Sequence, residues 1–144
     1  MASAVHPYLT FNGNAEEAFN FYKSVFGGDF MTLQRIKDTP EAANFPAHEQ
    51  DRVMHVTLPI GKNAVIMASD IIESMGHTLS VGNNFSISVT AESEKEADNI
   101  FTGLASGGQA TMPMAKSFWG SYFGMLTDKF GVQWMVSYDY PQKS

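Results

Sequence analysis

Residues 7–28, PYLTFNGNAEEAFNFYKSVFGG, decide the fold, because the same order of elements returns later in the chain. Pro7-Tyr-Leu-Thr-Phe11 reads as a short strand. Ala15, Ala18, Phe19, Tyr22, Val25 and Phe26 then recur at the i, i+3, i+4, i+7 spacing of a helix with one buried face. Asn14, with Glu17 three residues on, is the expected N-terminal cap, and Gly27-Gly28 the stop. The return begins at Phe85-Ser-Ile-Ser-Val89-Thr90, which alternates as a half-buried strand does. Ser93-Glu-Lys-Glu96 has the form of a capping box, in which Ser takes a free backbone N–H and Glu reaches back to another. Ala97, Ile100, Phe101, Leu104 and Ala105 form the buried stripe, and Gly107-Gly108 ends it.

The segments after the two helices match as well. After the first come candidate strands at 30–36, 52–60 and 64–70, the last two joined by a Gly61-Lys62-Asn63 turn. After the second come 109–114, 121–127 and 132–138, with Asp128-Lys-Phe-Gly131 as the turn. The fold class is therefore α+β: two tandem βαβββ modules, residues 5–70 and 84–140, joined by a linker at 71–83 within a single domain spanning 1–144. Residues 37–50, with Pro40 and Pro46 and no periodicity, read as a loop.

A chain of 144 residues can bury a core of its own, and 44% hydrophobic with 17% charged residues is the composition of a globular protein. Its net charge is −6, and the nine Lys and Arg are scattered, so no basic stripe is available to neutralise phosphates and nucleic acid is not expected as a partner. Cysteine is absent, which removes disulfides, thiolate catalysis and Cys-ligated zinc and accords with a reducing compartment. No secretory signal and no membrane-spanning stretch is visible, so the expected location is cytoplasmic. Nine Met, eleven Phe, five Tyr and two Trp exceed what the core alone needs and suit an adaptable apolar pocket.

Residues 7–22, Phe26-Gly-Gly28, His55, Met67-Ala-Ser-Asp70, Phe118-Trp-Gly120 and the run 123–135, FGMLTDKFGVQWM, together resemble PhnB-like proteins. These belong to the vicinal-oxygen-chelate superfamily, with glyoxalase I, bleomycin-resistance proteins and ring-cleaving dioxygenases. The resemblance covers nearly the whole chain. It implies paired βαβββ modules whose mixed sheets curl around a shared cleft, a small-molecule ligand and a homodimer. Some relatives carry the label of a demethylubiquinone methyltransferase, yet this chain has no Gly-rich strand-to-helix turn of the cofactor-binding type.

Strand alternation assigns the faces. With Leu9 and Phe11 packed on the helix, His6, Tyr8 and Thr10 face the cleft. With Phe85, Ile87 and Val89 in the core, so do Asn84, Ser86 and Ser88. Met54, Val56, Leu58 and Ile60 form a core face that turns His55 and Thr57 inward. Met67 and Ser69, Gln133 and Met135 point the same way, Phe123 joins the cleft wall, and Trp119 with Phe118 is either a buried anchor or a lid over a flat ligand. Metal-dependent relatives hold a divalent ion with a His on the first strand of a module and a Glu on the last. Here His6 occupies the first position, Asn84 its counterpart, and Met135 or a neighbour replaces the Glu. His6 and His55 are the candidate metal ligands, two imidazoles without a carboxylate. Asp128 reads as a turn residue, Asp70 as a cap or a base, and His48 and His77 as loop residues. No nucleophile elbow is present. The expected function is binding of a small, partly aromatic or planar compound without a complete metal site. The alternatives are a metal-dependent lyase, isomerase or dioxygenase using His6 and His55, and a structural domain with an empty cleft.

Overall fold

The computed structural model describes residues 2–141, so Met1 and residues 142–144 of the expected domain lie outside the description. The chain divides into two compact units, Met1–Ser80 and Val81–Ser144.

In the first unit, strand β1 (Tyr8–Phe11) leads into helix α1 (Ala15–Phe26), followed by β2 (Thr32–Arg35), β3 (Val53–Ile60) and β4 (Ala64–Asp70). The sheet order is β1-β4-β3-β2, with β1 parallel to β4 and the remaining neighbours antiparallel. Helix α1 buries Ala15, Ala18, Phe19 and Tyr22 of the stripe read from the sequence, and leaves Val25 and Phe26 half-buried. It packs on the face formed by Leu9, Phe11, Val56, Leu58, Ile66 and Ala68, all buried. Each large side chain withdrawn from water there contributes about 1.5–3 kcal/mol. Arg35, beyond the last regular pair of β2, holds Glu16 of the helix through a two-pronged ion pair, Nε and Nη2 at 2.9 and 2.6 Å.

Three details differ from the sequence reading. Asn14 stands at the N-cap position but makes no side-chain cap bond; Asp70 takes that role from β4. Opposite Gln34 and Arg35, β3 carries an extra residue, because Gln34 pairs with His55 and Arg35 with Val53. This bulge interrupts the alternation, so Val53 is buried where Met54 was expected. The segment 37–50 is not featureless: it winds into single 3-10 turns at Ile36–Asp38, Ala42–Asn44 and Ala47–Glu49.

The second unit repeats the order with β5 (Ile87–Thr90), α2 (Glu94–Ala105), β6 (Gln109–Lys116), β7 (Ser121–Thr127) and β8 (Gln133–Asp139), arranged β5-β8-β7-β6. Again β5 is parallel to its neighbour β8 and the other pairs are antiparallel. Ala97, Leu104, Leu126, Trp134 and Val136 are buried between helix and sheet. Here the expected capping box forms: Ser93 Oγ accepts the N–H of Glu96, and the Glu96 carboxylate accepts the N–H of Glu92. Strand β5 starts two residues later than expected, so Asn84, Phe85 and Ser86 precede it, and Phe85, assigned to the core from alternation, is 62% exposed. Strand β6 runs longer, to Lys116, and carries two bulges that leave most of it exposed at the sheet edge. No helix among the described residues is long and apolar enough to cross a membrane.

Candidate functional site

Each sheet has one face under its helix and one free of it, and the strand register states which side chains share the free face. In the first unit Tyr8, Met67, Thr57 and Thr32 form one row across β1, β4, β3 and β2. The next row joins Thr10 with Ser69, and His55 lies beside Ser69, one step past the Val56–Ala68 pair. Within this patch Tyr8, His55 and Thr57 are linked: the Tyr8 hydroxyl lies 3.3 Å from His55 Nδ1, and His55 Nε2 lies 2.8 Å from Thr57 Oγ1. The Tyr8 and His55 rings are 5.7 Å apart. The strand residues on this face include hydroxyls, one amide and one imidazole but no Asp, Glu, Lys or Arg.

His6 does not join that group. Its Nδ1 accepts the N–H of Val65 at 3.4 Å, and Val65 is four residues from Ser69 along β4. Val65 is two residues before Met67, the residue that pairs with both Tyr8 and Thr57, so His6 is engaged on the side of that row away from Ser69. The engaged ring nitrogens, His6 Nδ1 and both of His55, face a backbone N–H and two hydroxyls. Among the described residues, the strands of this face offer no carboxylate to complete a divalent-ion site beside imidazole.

The free face of the second unit is of different character. Met112, Met125, Met135 and Ser88 form one row, and Phe123 pairs with Ser137 beside it. Trp119 packs edge-on against Phe123, with ring centroids 5.6 Å apart, and Phe118 packs against Trp119 at 5.1 Å. Phe118 is 99% and Trp119 58% exposed, so neither is a buried anchor. The carboxylate on this face, Asp139, stands exposed at the last position of β8, and Asn84 and Ser86 lie ahead of β5.

Asp70 and Asp128 are both structural. Both carboxylate oxygens of buried Asp70 face backbone: Oδ1 accepts the N–H groups of Gly13 and Ala15 at 2.9 and 3.0 Å, and Oδ2 that of Val53 at 2.8 Å. Asp70 therefore caps α1 and fixes the start of β3, on the helix side of the sheet. Asp128 closes its turn by accepting from Phe130 and Val132, and its other oxygen accepts the indole N–H of buried Trp134 at 2.9 Å.

Sequence reasoning missed Glu49. Among the described residues, His48, Glu49 and Glu73 bring metal-ligating atoms within 4.8 Å of one another. Their oxygens already have partners. Glu49, fully buried, accepts from the hydroxyl and N–H of Ser74 at 2.5 and 3.0 Å, and Arg52 holds Glu73 at 2.9 Å. The Ser74 hydroxyl bond, with help from its N–H and from His48 and Arg52, holds the Glu49 carboxyl below the usual Glu range against the opposing cost of burial. The cluster fastens residues 73–75 to the loop before β3. No local sequence signal marks it, since a buried carboxylate in an aperiodic loop is defined by partners far along the chain.

The family described as 3-demethylubiquinone-9 3-methyltransferase matches residues 3–137. The structure of protein PA1353 from Pseudomonas aeruginosa is 38% identical, covers 96% of this chain and 98% of its own, and superposes with a TM-score of 0.84. The PhnB protein from Bacillus cereus is 30% identical over 94% of this chain and 99% of its own, with a TM-score of 0.74. A glyoxylase/bleomycin resistance protein/dioxygenase domain from Frankia, at 11% identity, covers 99% of this chain and 96% of its own with a TM-score of 0.70, which shows a common fold.

Proposed function

We propose that this chain, which belongs to the 3-demethylubiquinone-9 3-methyltransferase family, is a small-molecule-binding protein that holds a compact, partly aromatic compound without a complete metal site. The observation that carries this reading is the chemistry of the two helix-free faces. One presents the linked Tyr8, His55 and Thr57 beside Met67 and Ser69, and the other presents Met125, Met135, Phe123 and Trp119. A few placed polar groups on apolar surroundings is the usual composition of a small-molecule site. The family's description names a methyl transfer, but neither strand-to-helix connection, Asn12–Asn14 or Ala91–Ser93, is the Gly-rich turn that cradles a nucleotide-like cofactor. The same reading makes the protein a cytoplasmic homodimer. Exposed Met112 on β6 offers apolar surface to such an interface, while Pro113 and the two bulges of β6 work against regular edge-to-edge strand pairing there.

Metal analysis of protein purified without chelator, joined to thermal shift with an aromatic metabolite panel, tests the reading. The expected result is no stoichiometric metal and a ligand that stabilises by about 2.7 kcal/mol at 100 times its dissociation constant. Stoichiometric Ni, Zn, Mn or Fe that is lost in His55→Ala would overturn it, and so would the absence of any shift across the panel. Light scattering that gives a monomeric mass at micromolar protein would overturn the dimer.

A further inference from the structure

We infer that Tyr8 is a ligand-directed hydrogen-bond donor, oriented by a one-way chain from Thr57 through His55, and that its partner is a neutral carbonyl oxygen. The inference rests on the reading of this face as a ligand site and names what the site selects.

Counting donors and acceptors assigns the direction. A neutral imidazole has one N–H and one bare nitrogen, and each ring nitrogen of His55 faces a hydroxyl. Thr57 is only 8% exposed, and among the described residues its side chain bonds to His55 Nε2 alone. If Nε2 carried the proton, Thr57 Oγ1 would accept it and the Thr57 O–H would be left without an acceptor. A buried donor in that state costs about 1–3 kcal/mol. With the proton on Nδ1 instead, Thr57 donates to bare Nε2, and Nδ1–H donates to the Tyr8 oxygen. The Tyr8 O–H is then left to point outward from a residue that is 49% exposed. Each bond polarises the next, so the outer hydroxyl is a better donor than an isolated phenol.

The surroundings set the charge of the partner. Among the described residues, the strands of this face carry no Lys or Arg to meet an anion beside Tyr8 and no Asp or Glu to meet a cation. A neutral carbonyl fits, with Met67, which pairs with both Tyr8 and Thr57, against the apolar part of the molecule.

Two measurements on the full chain test this separately. Long-range proton–nitrogen NMR of ring-labelled histidine reads the His55 tautomer without ligand. The expected proton is on Nδ1, with that preference lost in Thr57→Val, and an Nε2–H tautomer in the unsubstituted protein would overturn the chain's direction. Titrations with acetophenone and with ethylbenzene, which differ by the carbonyl, then read the donor. The ketone is expected to bind about three- to tenfold tighter, as one neutral hydrogen bond allows. Tyr8→Phe should erase that margin between ketone and hydrocarbon. Equal affinity for the two probes would overturn the role of Tyr8 while leaving a binding face. If neither probe shifts resonances on this face, the binding reading falls and this inference with it.

Discussion

Helix α1 starts under a carboxylate brought from 55 residues away in sequence, whereas α2 starts under the side chain next to it. Both solve the same problem, since the first N–H groups of a helix have no partner within it. In the second unit Ser93 solves it locally, with a partner three residues away in sequence. In the first unit Asp70 answers one N–H at the helix start, one from the turn before it and one from β3 at once, so the cap exists only when β1, β3, β4 and α1 are all in place. The remote cap couples elements, and the local one stabilises an element.

That contrast predicts unequal costs. Asp70→Ala strands three N–H groups, two of them bonded in buried positions, and is expected to destabilise by about 4 kcal/mol in urea unfolding. Asp70→Asn keeps one acceptor oxygen and should recover part of the loss. If Asp70→Ala costs no more than a local cap does, the coupling role is wrong.

The Gly pairs that end the helices repeat the lesson. Gly107 and Gly108 look like Gly27 and Gly28 in sequence, but a Cβ on Gly108 would lie 2.3 Å from the Thr127 carbonyl oxygen and 2.8 Å from the Asp128 carbonyl carbon. Backbone atoms there have nowhere to move. Gly108→Ala is expected to cost about 3 kcal/mol, at the upper end of overpacking. Gly28 has open space around it, and what it needs is its positive φ of 79°. Gly28→Ala should therefore cost about 1–2 kcal/mol, from left-handed backbone strain alone. Comparing the two variants by thermal denaturation separates close approach from conformation, and equal losses would contradict the distinction.

Legibility followed the same divide. Both helices were readable in place and approximate length, because the 3.6-residue stripe and the nearby Gly pairs are local signals. The β3–β4 and β7–β8 hairpins were readable for the same reason. The bulge opposite Arg35 was not, and it moved Val53 into the core where alternation put Met54. Nor was Phe85, because alternation names the two faces of a strand without saying where pairing begins. His55 and Thr57 were placed on the free face by period alone, but the hydrogen bonds joining them to Tyr8 depend on register across three strands. Asp70 was ambiguous between cap and base until its partners 55 and 57 residues away were known.

The smallest effect is expected at the local cap. Ser93→Ala removes one side-chain bond to the Glu96 N–H at 3.0 Å, at an exposed helix end where water replaces the lost partner. About 1 kcal/mol is the usual cost. Glu96 still reaches the Glu92 N–H, so half of the box survives the substitution. The decisive measurement is amide hydrogen exchange: Ser93→Ala should speed exchange in the first turn of α2 and leave β7 and β8 protected. Asp70→Ala should instead raise exchange in α1 and β3 together. If Ser93→Ala also loosened β7 and β8, the cap of the second unit would be as coupled as that of the first, and the difference between the two modules would lie in sequence distance alone.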